Sequence, residues 1–201
     1  LVRLASMPEI WDRVVSIDPC NPKWTFCLNP LAAFEGLSQE RLALFITDIV
    51  IKIWRIEPES APRMIWLVTN SFLALSLLGL TLLELRQFLV DRSFRESLLP
   101  GLKHPDVREY FLYEYPKTER GVHEWATPVL NKLGRLIFDS DLRLMFAPGV
   151  PLNFRTVLDE SLILLVNLSK GVFGEEPSGL LGAFVVALLQ KAALSRADTL
   201  T

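Results

Sequence analysis

At 201 residues the chain is long enough to bury a core as one large domain or two modest ones. Its 21 Lys and Arg stand against 23 Asp and Glu, and the net charge of −2 excludes a uniformly basic nucleic-acid-binding domain held by counterion release. Half the residues are apolar and the mean hydropathy is +0.31, so membrane spans must be weighed; with only Cys20 and Cys27, and histidines only at 104 and 123, a disulfide framework or structural zinc site is not expected.

Residues 1–37 read as an α/β piece. A short helix through Trp11 leads into a strand over about 13–18, and Asp18-Pro19 closes it because proline cannot continue a central ladder. The segment from Cys20 to Pro30 reads as an ordered loop with Trp24 and Phe26 as anchors. Asp18 ends an apolar strand, where a magnesium-binding carboxylate can sit, but VVSID lacks a second acid and a turn-capping Asp is the better reading. No metal site is expected.

From Ser38 to 148 the periodicity becomes helical. Leu42, Phe45, Ile46, Ile49, Ile53 and Ile56 recur at three- and four-residue steps behind a Ser38 cap. Pro58 and Pro62 bound the linker to the next helix, which Pro62 starts. Met64 to Leu83 carries no charge and is just long enough for a bilayer, but its polar residues and Gly79 favour a buried helix that ends near Gly79. Further helices follow at Leu80 to Leu89, Asp91 to Leu98 and from His104, the last with Val107, Tyr110, Phe111 and Tyr115 as its apolar stripe. Short Pro/Gly breaks between five or more helices describe a bundle-like module. Within it Lys103, Arg108, Lys117 and Arg120 lie near tyrosines that invite base stacking. Glu109, Glu114 and Glu119 alternate with those bases, which favours packing of the rings over DNA or partner contact.

Residues 149–201 return to α/β character. Phe154 to Asp159 reads as a short helix, 162–168 as a central parallel strand covered on both faces, and about 179–197 as a long helix capped by Ser178. That helix is apolar nearly all round, so it is expected to be covered on more than one side, by a sheet and by a neighbouring subunit. The loop Asn167, Ser169, Lys170 lies past the carboxyl end of a strand, where α/β folds hold ligands. Glu175 and Glu176 occupy the helix start that would otherwise favour phosphate, so the loop is not a P-loop cradle. Arg196, in the last turn, complements the helix dipole or acts in trans on a phosphoryl group, with Arg155 a weaker alternative.

The wording LLVNLSKG, then SGLLG, then LLQKAALSRA resembles the segment before the Walker B strand of HerA/FtsK-type DNA-pumping ATPases, and more closely the TraG/TraD-like coupling ATPases of conjugation and type IV secretion. In the family's order, RVVSIDPCNP with CLNPL is similar to a strand and Asn-Pro-Leu turn of the core, and PVLNKLGRLIFDSDLR to a helical insertion. The resemblance implies fragments of a RecA-like P-loop core flanking an all-helical domain, mostly helical overall. It implies a homo-hexamer that uses ATP and Mg2+ to pump DNA or nucleoprotein, with relaxosome or secretion proteins as partners. It also implies a cytoplasmic location, with room for an anchor at the inner face of the bacterial cell membrane. Neither GxxxxGK[ST] nor an apolar strand ending in Asp-Glu is present. The chain is therefore expected to be an internal part of the ATPase, inactive alone and without a membrane span of its own. The alternative is a non-enzymatic helical adaptor in which 38–148 recruits a relaxase, nuclease or secretion partner.

Overall fold

The computed structural model describes residues 8–21, 27–33, 37–147, 149 and 152–196. Trp24, Phe26 and the breaks at Gly36, Pro148 and Pro151 lie outside them. The described chain is mainly helical with one two-stranded sheet. A 3-10 turn at Pro8–Arg13 precedes β1, Val14–Ile17, which pairs in parallel with β2, Ile163–Val166, in the register Val14 to Ile163 through Ile17 to Val166. A parallel pair needs a long crossover. Here the crossover is the whole helical region.

Ten helices fill the rest of the described chain. α1, Gln39–Ile53, is capped by the Ser38 hydroxyl, which accepts from Arg41 N, and ends with Arg55 in the left-handed region at φ 51°. α2, Pro62–Leu77, starts at its proline, buries an unbroken run from Asn70 to Ser76, and is closed by Gly79 at φ 68°. A Thr81–Glu84 capping box leads into α3, Leu85–Val90, and Asp91 caps α4, Arg92–Leu98, by accepting from Phe94 N. α5, Pro105–Glu109, continues into a π turn over Tyr110–Glu114, closed by Tyr115 N donating to Tyr110 O at 2.8 Å. α6, Glu119–Phe138, and α7, Ser140–Phe146, complete the region, and no strand lies between residues 38 and 147. α8, Phe154–Asp159, α9, Lys170–Phe173, and α10, Glu175–Ser195, surround β2 in sequence.

One hydrophobic cluster runs through both parts of the chain. Ile17, Leu28 and Leu31 from the first segment share it with Leu42, Phe72, Phe88, Tyr110 and Leu133 of the helices and with Leu180, Phe184 and Ala192 of α10. α10 packs mainly on α8 and α1, and Phe146 meets Phe184 edge-on at 6.0 Å. The helices and the sheet are therefore two regions of one apolar core.

The strand and helix boundaries correct the sequence reading in three places. β2 is half-buried along its length because it has one strand neighbour among the described residues, so it is not the strand covered on both faces that its apolar run suggested. α10 begins at Glu175 with Gly174 at φ 87° as its cap, and Ser178 sits inside the first turns, buried. Glu175, Glu176 and Pro177 suit a first turn, where acids meet the dipole and proline costs no hydrogen bond. The stretch after Ser169 is a helical turn rather than a loop.

α2 is a core helix of 16 residues, shorter than a bilayer requires. Among the described residues one helix, Glu175–Ser195, is long and apolar enough to cross a membrane by length and composition, and the core helix of a soluble protein passes the same test.

Candidate functional site

The carboxyl ends of β1 and β2 meet in register, and the polar residues just past them join. Asn167 N donates to Ile17 O at 2.9 Å, extending the ladder by one bond. Asn167 Nδ2 donates to Asp18 Oδ1 at 2.9 Å, and the same oxygen accepts Cys20 N at 3.1 Å. Asp18 is thus both the turn cap read from the sequence and the acceptor that orients Asn167. Two residues 149 positions apart form one polar pair because parallel pairing brings like ends together.

Ser169 and Lys170 follow at once. Ser169 caps α9 through its backbone position without a side-chain bond, and Lys170 is exposed, with its Nζ 3.9 Å from Glu175 Oε1. Gly182 on α10 lies so close to Leu168 that a Cβ built there would meet the leucine methyl at 2.9 Å, which seats the helix against the residues after β2. The end of the sheet therefore joins Asn167 and Asp18, with Ser169 and Lys170 following in sequence at the start of α9. These residues do not form a triphosphate cradle: the start of α10 carries two acids and the nearest lysine faces one of them. Among the described residues no group of three or more His, Cys, Asp or Glu side chains is placed to hold a metal ion.

Arg196 is at the other end of α10, about 30 Å from Glu175 by helical rise. Its Nε lies 3.0 Å from Asp159 Oδ1, and Arg155 Nε lies 3.3 Å from Oδ2 of the same carboxylate. Arg155 Nη1 also donates to Ser195 O at 3.1 Å. The two arginines and Asp159 tie α8 to the end of α10, about 21 Å by helical rise from Gly182, where the helix meets Leu168.

The tyrosine stripe packs inward. Tyr110, Phe111 and Tyr115 are buried in a ring cluster with Phe88, while Tyr113 is 75 % exposed. Trp125 meets Tyr115 edge-on at 6.1 Å and carries the Arg63 guanidinium 5.0 Å above its ring. Burial pushes the Tyr115 hydroxyl up to about 12 and Tyr110 above its ordinary value. Lys103, Arg108, Lys117 and Arg120 are all exposed. Lys103 and Arg108 share the rim of a hollow of about 470 Å³ with Tyr113 and Glu109. Lys117 and Arg120 are not among its lining residues.

Sequence reasoning missed two buried cations. Arg95, 4 % exposed, donates to Phe88 O and Leu89 O and lies 4.8 Å under the Tyr115 ring. It caps the last carbonyls of α3 from the helix that follows. Lys191, 6 % exposed, donates from Nζ to Ala32 O at 3.2 Å, and burial lowers its pKa to about 8. The available signal for Lys191 was its place on the Phe184, Leu188, Ala192 face of an apolar helix.

Compared with known proteins, the chain matches no family model, no curated protein and no solved structure.

Proposed function

We propose that this chain is a section of an ATP-driven DNA translocase of the coupling-protein kind, built from RecA-like core strands with a helical insertion between them. The observation that carries the reading is the parallel, in-register pairing of two strands about 150 residues apart in sequence, with Asp18 and Asn167 joined at their carboxyl ends. Ligands of open α/β sheets bind at that edge. Asn167 then has the role of positioning water or sensing the γ-phosphate, and Asp18 holds its amide in orientation. The phosphate-cradling strand and the magnesium carboxylates come from a GxxxxGK[ST] and an Asp-Glu strand outside these 201 residues. Arg196 acts, in this reading, on a neighbouring subunit of a ring, with Asp159 holding it until assembly.

The test compares the chain alone with a gene product that carries both nucleotide motifs. The chain alone is expected to show no hydrolysis above a protein-free blank. The longer product is expected to show DNA-stimulated ATP hydrolysis, with Asn167→Ala lowering kcat by about tenfold to a hundredfold while KM for ATP changes little. Steady hydrolysis by the chain alone, or a longer product in which Asn167→Ala leaves kcat unchanged, would sink the assignment.

A helical adaptor is favoured by one separate observation: Trp66, Phe138 and Leu144 are more than half exposed on the helical region. Retention of a relaxase, nuclease or secretion protein by the chain, with no nucleotide motifs in its gene, is the outcome that selects this second reading.

A further inference from the structure

The ring cluster of the helical region leaves one tyrosine outside it. Tyr110, Phe111 and Tyr115 are buried against Phe88 and Trp125, whereas Tyr113, between them in sequence, is 75 % exposed. Over the π turn the chain buries Tyr110 and Phe111, half-buries Leu112 and leaves Tyr113 and Glu114 in solvent. Packing accounts for three of the rings and not for Tyr113.

Tyr113 lines the hollow of about 470 Å³ formed by the 3-10 turn Leu99–Gly101, α5 and the π turn. Pro100, Leu102, Pro105 and Leu112 supply its apolar surface, and Lys103, Arg108 and Glu109 its charges. Two cations stand against one acid in the lining, and the exposed Asp106 and Glu114 are not part of it. That small positive excess does not hold a polyanion by charge alone. An exposed ring in the same hollow adds a second source of affinity, because a base stacked on an aromatic side chain gains about fivefold to a hundredfold in binding. Pro100 and Pro105 fix the backbone on either side of Lys103, so this wall is set before binding and the ordering cost is reduced.

We propose that this hollow is a contact site for single-stranded nucleic acid, in which one unpaired base stacks on Tyr113 and the phosphates beside it meet Lys103 and Arg108. An unpaired nucleotide fits both halves of the lining, since it carries a flat face and an anionic linkage on one short unit. A duplex keeps its bases stacked on one another and offers only its phosphates. An acidic peptide offers charge without the flat face. The test needs neither ATP nor the nucleotide motifs, so the site stands or falls separately from the translocase reading.

Fluorescence anisotropy of a labelled oligothymidylate of about ten nucleotides, titrated with the 201-residue chain, tests it. Saturable binding is expected, at least about fivefold tighter than to an abasic oligomer of the same length or to a duplex. An oligouridylate is titrated alongside, and whichever strand binds more tightly identifies DNA or RNA as the one recognised. Tyr113→Ala is expected to weaken binding by about fivefold or more, and Tyr113→Phe, which keeps the ring, to retain it. Lys103→Gln combined with Arg108→Gln is expected to weaken binding and flatten its salt dependence. All three substituted side chains are exposed, so the variants are expected to fold as the parent does, with an unchanged urea midpoint. The proposal is overturned if neither strand binds saturably at about 0.1 mM chain, or if the abasic oligomer or the duplex binds as well as the single strand. It is equally overturned if an oligoglutamate competes as well as unlabelled strand, if Tyr113→Ala leaves the affinity unchanged, or if the double substitution changes neither affinity nor salt dependence.

Discussion

Replacing Lys191 by Met separates the cost of a buried charge from the packing of its stem. The lysine is 6 % exposed, and burial lowers its pKa from 10.5 to about 8. Because the folded value lies below the unfolded one, the unfolded chain binds more protons between pH 8 and pH 10.5, and stability rises with pH across that window. Below pH 8 the desolvated ammonium is a constant cost. At about 1.4 kcal/mol per pH unit the interval corresponds to an upper figure of about 3 kcal/mol. Met removes that cost and forfeits the bond to Ala32 O, worth about 1 kcal/mol. The variant is therefore expected to be more stable than the parent by about 2 kcal/mol near pH 7, with the difference shrinking toward zero near pH 9.5. Tyr110 and Tyr115 impose the opposite slope above pH 10, because the unfolded chain then loses their protons first. Both proteins carry them, so the difference between the two isolates Lys191. Urea denaturation at several pH values between 6 and 9.5 measures it. A variant less stable than the parent near pH 7, or a difference that does not change with pH, would refute the reasoning.

Two further substitutions test the fold around the site. Arg95→Met is expected to destabilise by about 2–4 kcal/mol, since it removes the Arg95 donor from the Phe88 carbonyl, leaves Leu89 O with the Tyr115 hydroxyl alone as its side-chain donor, and removes the cation beneath Tyr115, and chemical denaturation should show it. Arg55→Gly is expected to raise stability by about 0.5–1 kcal/mol, because Arg55 holds φ at 51° behind α1 where glycine adopts the same turn at no steric cost; an unchanged or lower thermal midpoint would count against it.

The helical region was legible because its punctuation is local. Ser38, Pro62, Asp91 and His104 each start a helix where the sequence places them, and Gly79 ends the apolar run that raised the question of a membrane span. Val107, Tyr110 and Phe111 fell on the buried stripe because a helical period assigns faces from sequence spacing alone, whereas Tyr115 lies just past the π turn in extended backbone and owes its burial to Leu89 and Trp125. The start of α10 was misplaced for an equally local reason. A serine after proline has the look of a cap, but a glycine with positive φ four residues earlier supplied the turn, and Ser178 was left buried with no hydrogen-bond partner for its hydroxyl.

The candidate site divides along the same line. Its chemistry was readable in part, since an apolar run ending in Asn167, Ser169 and Lys170 names residues at the end of a strand. Their partner was not: Asp18 reaches Asn167 only through the pairing of β1 with β2 across the helical crossover, and nothing in either segment encodes that register by itself. Lys191 shows the same limit more sharply. Sequence alone determined that it sits on an apolar helix face, whereas the tertiary structure decided that the Ala32 carbonyl receives it and that Arg155 shares its cavity. Caps, breaks and helical faces are set by interactions within a few residues, so the sequence determined them. Long-range partners follow from which surfaces the chain brings together to bury its apolar area, and only the folded structure decides that.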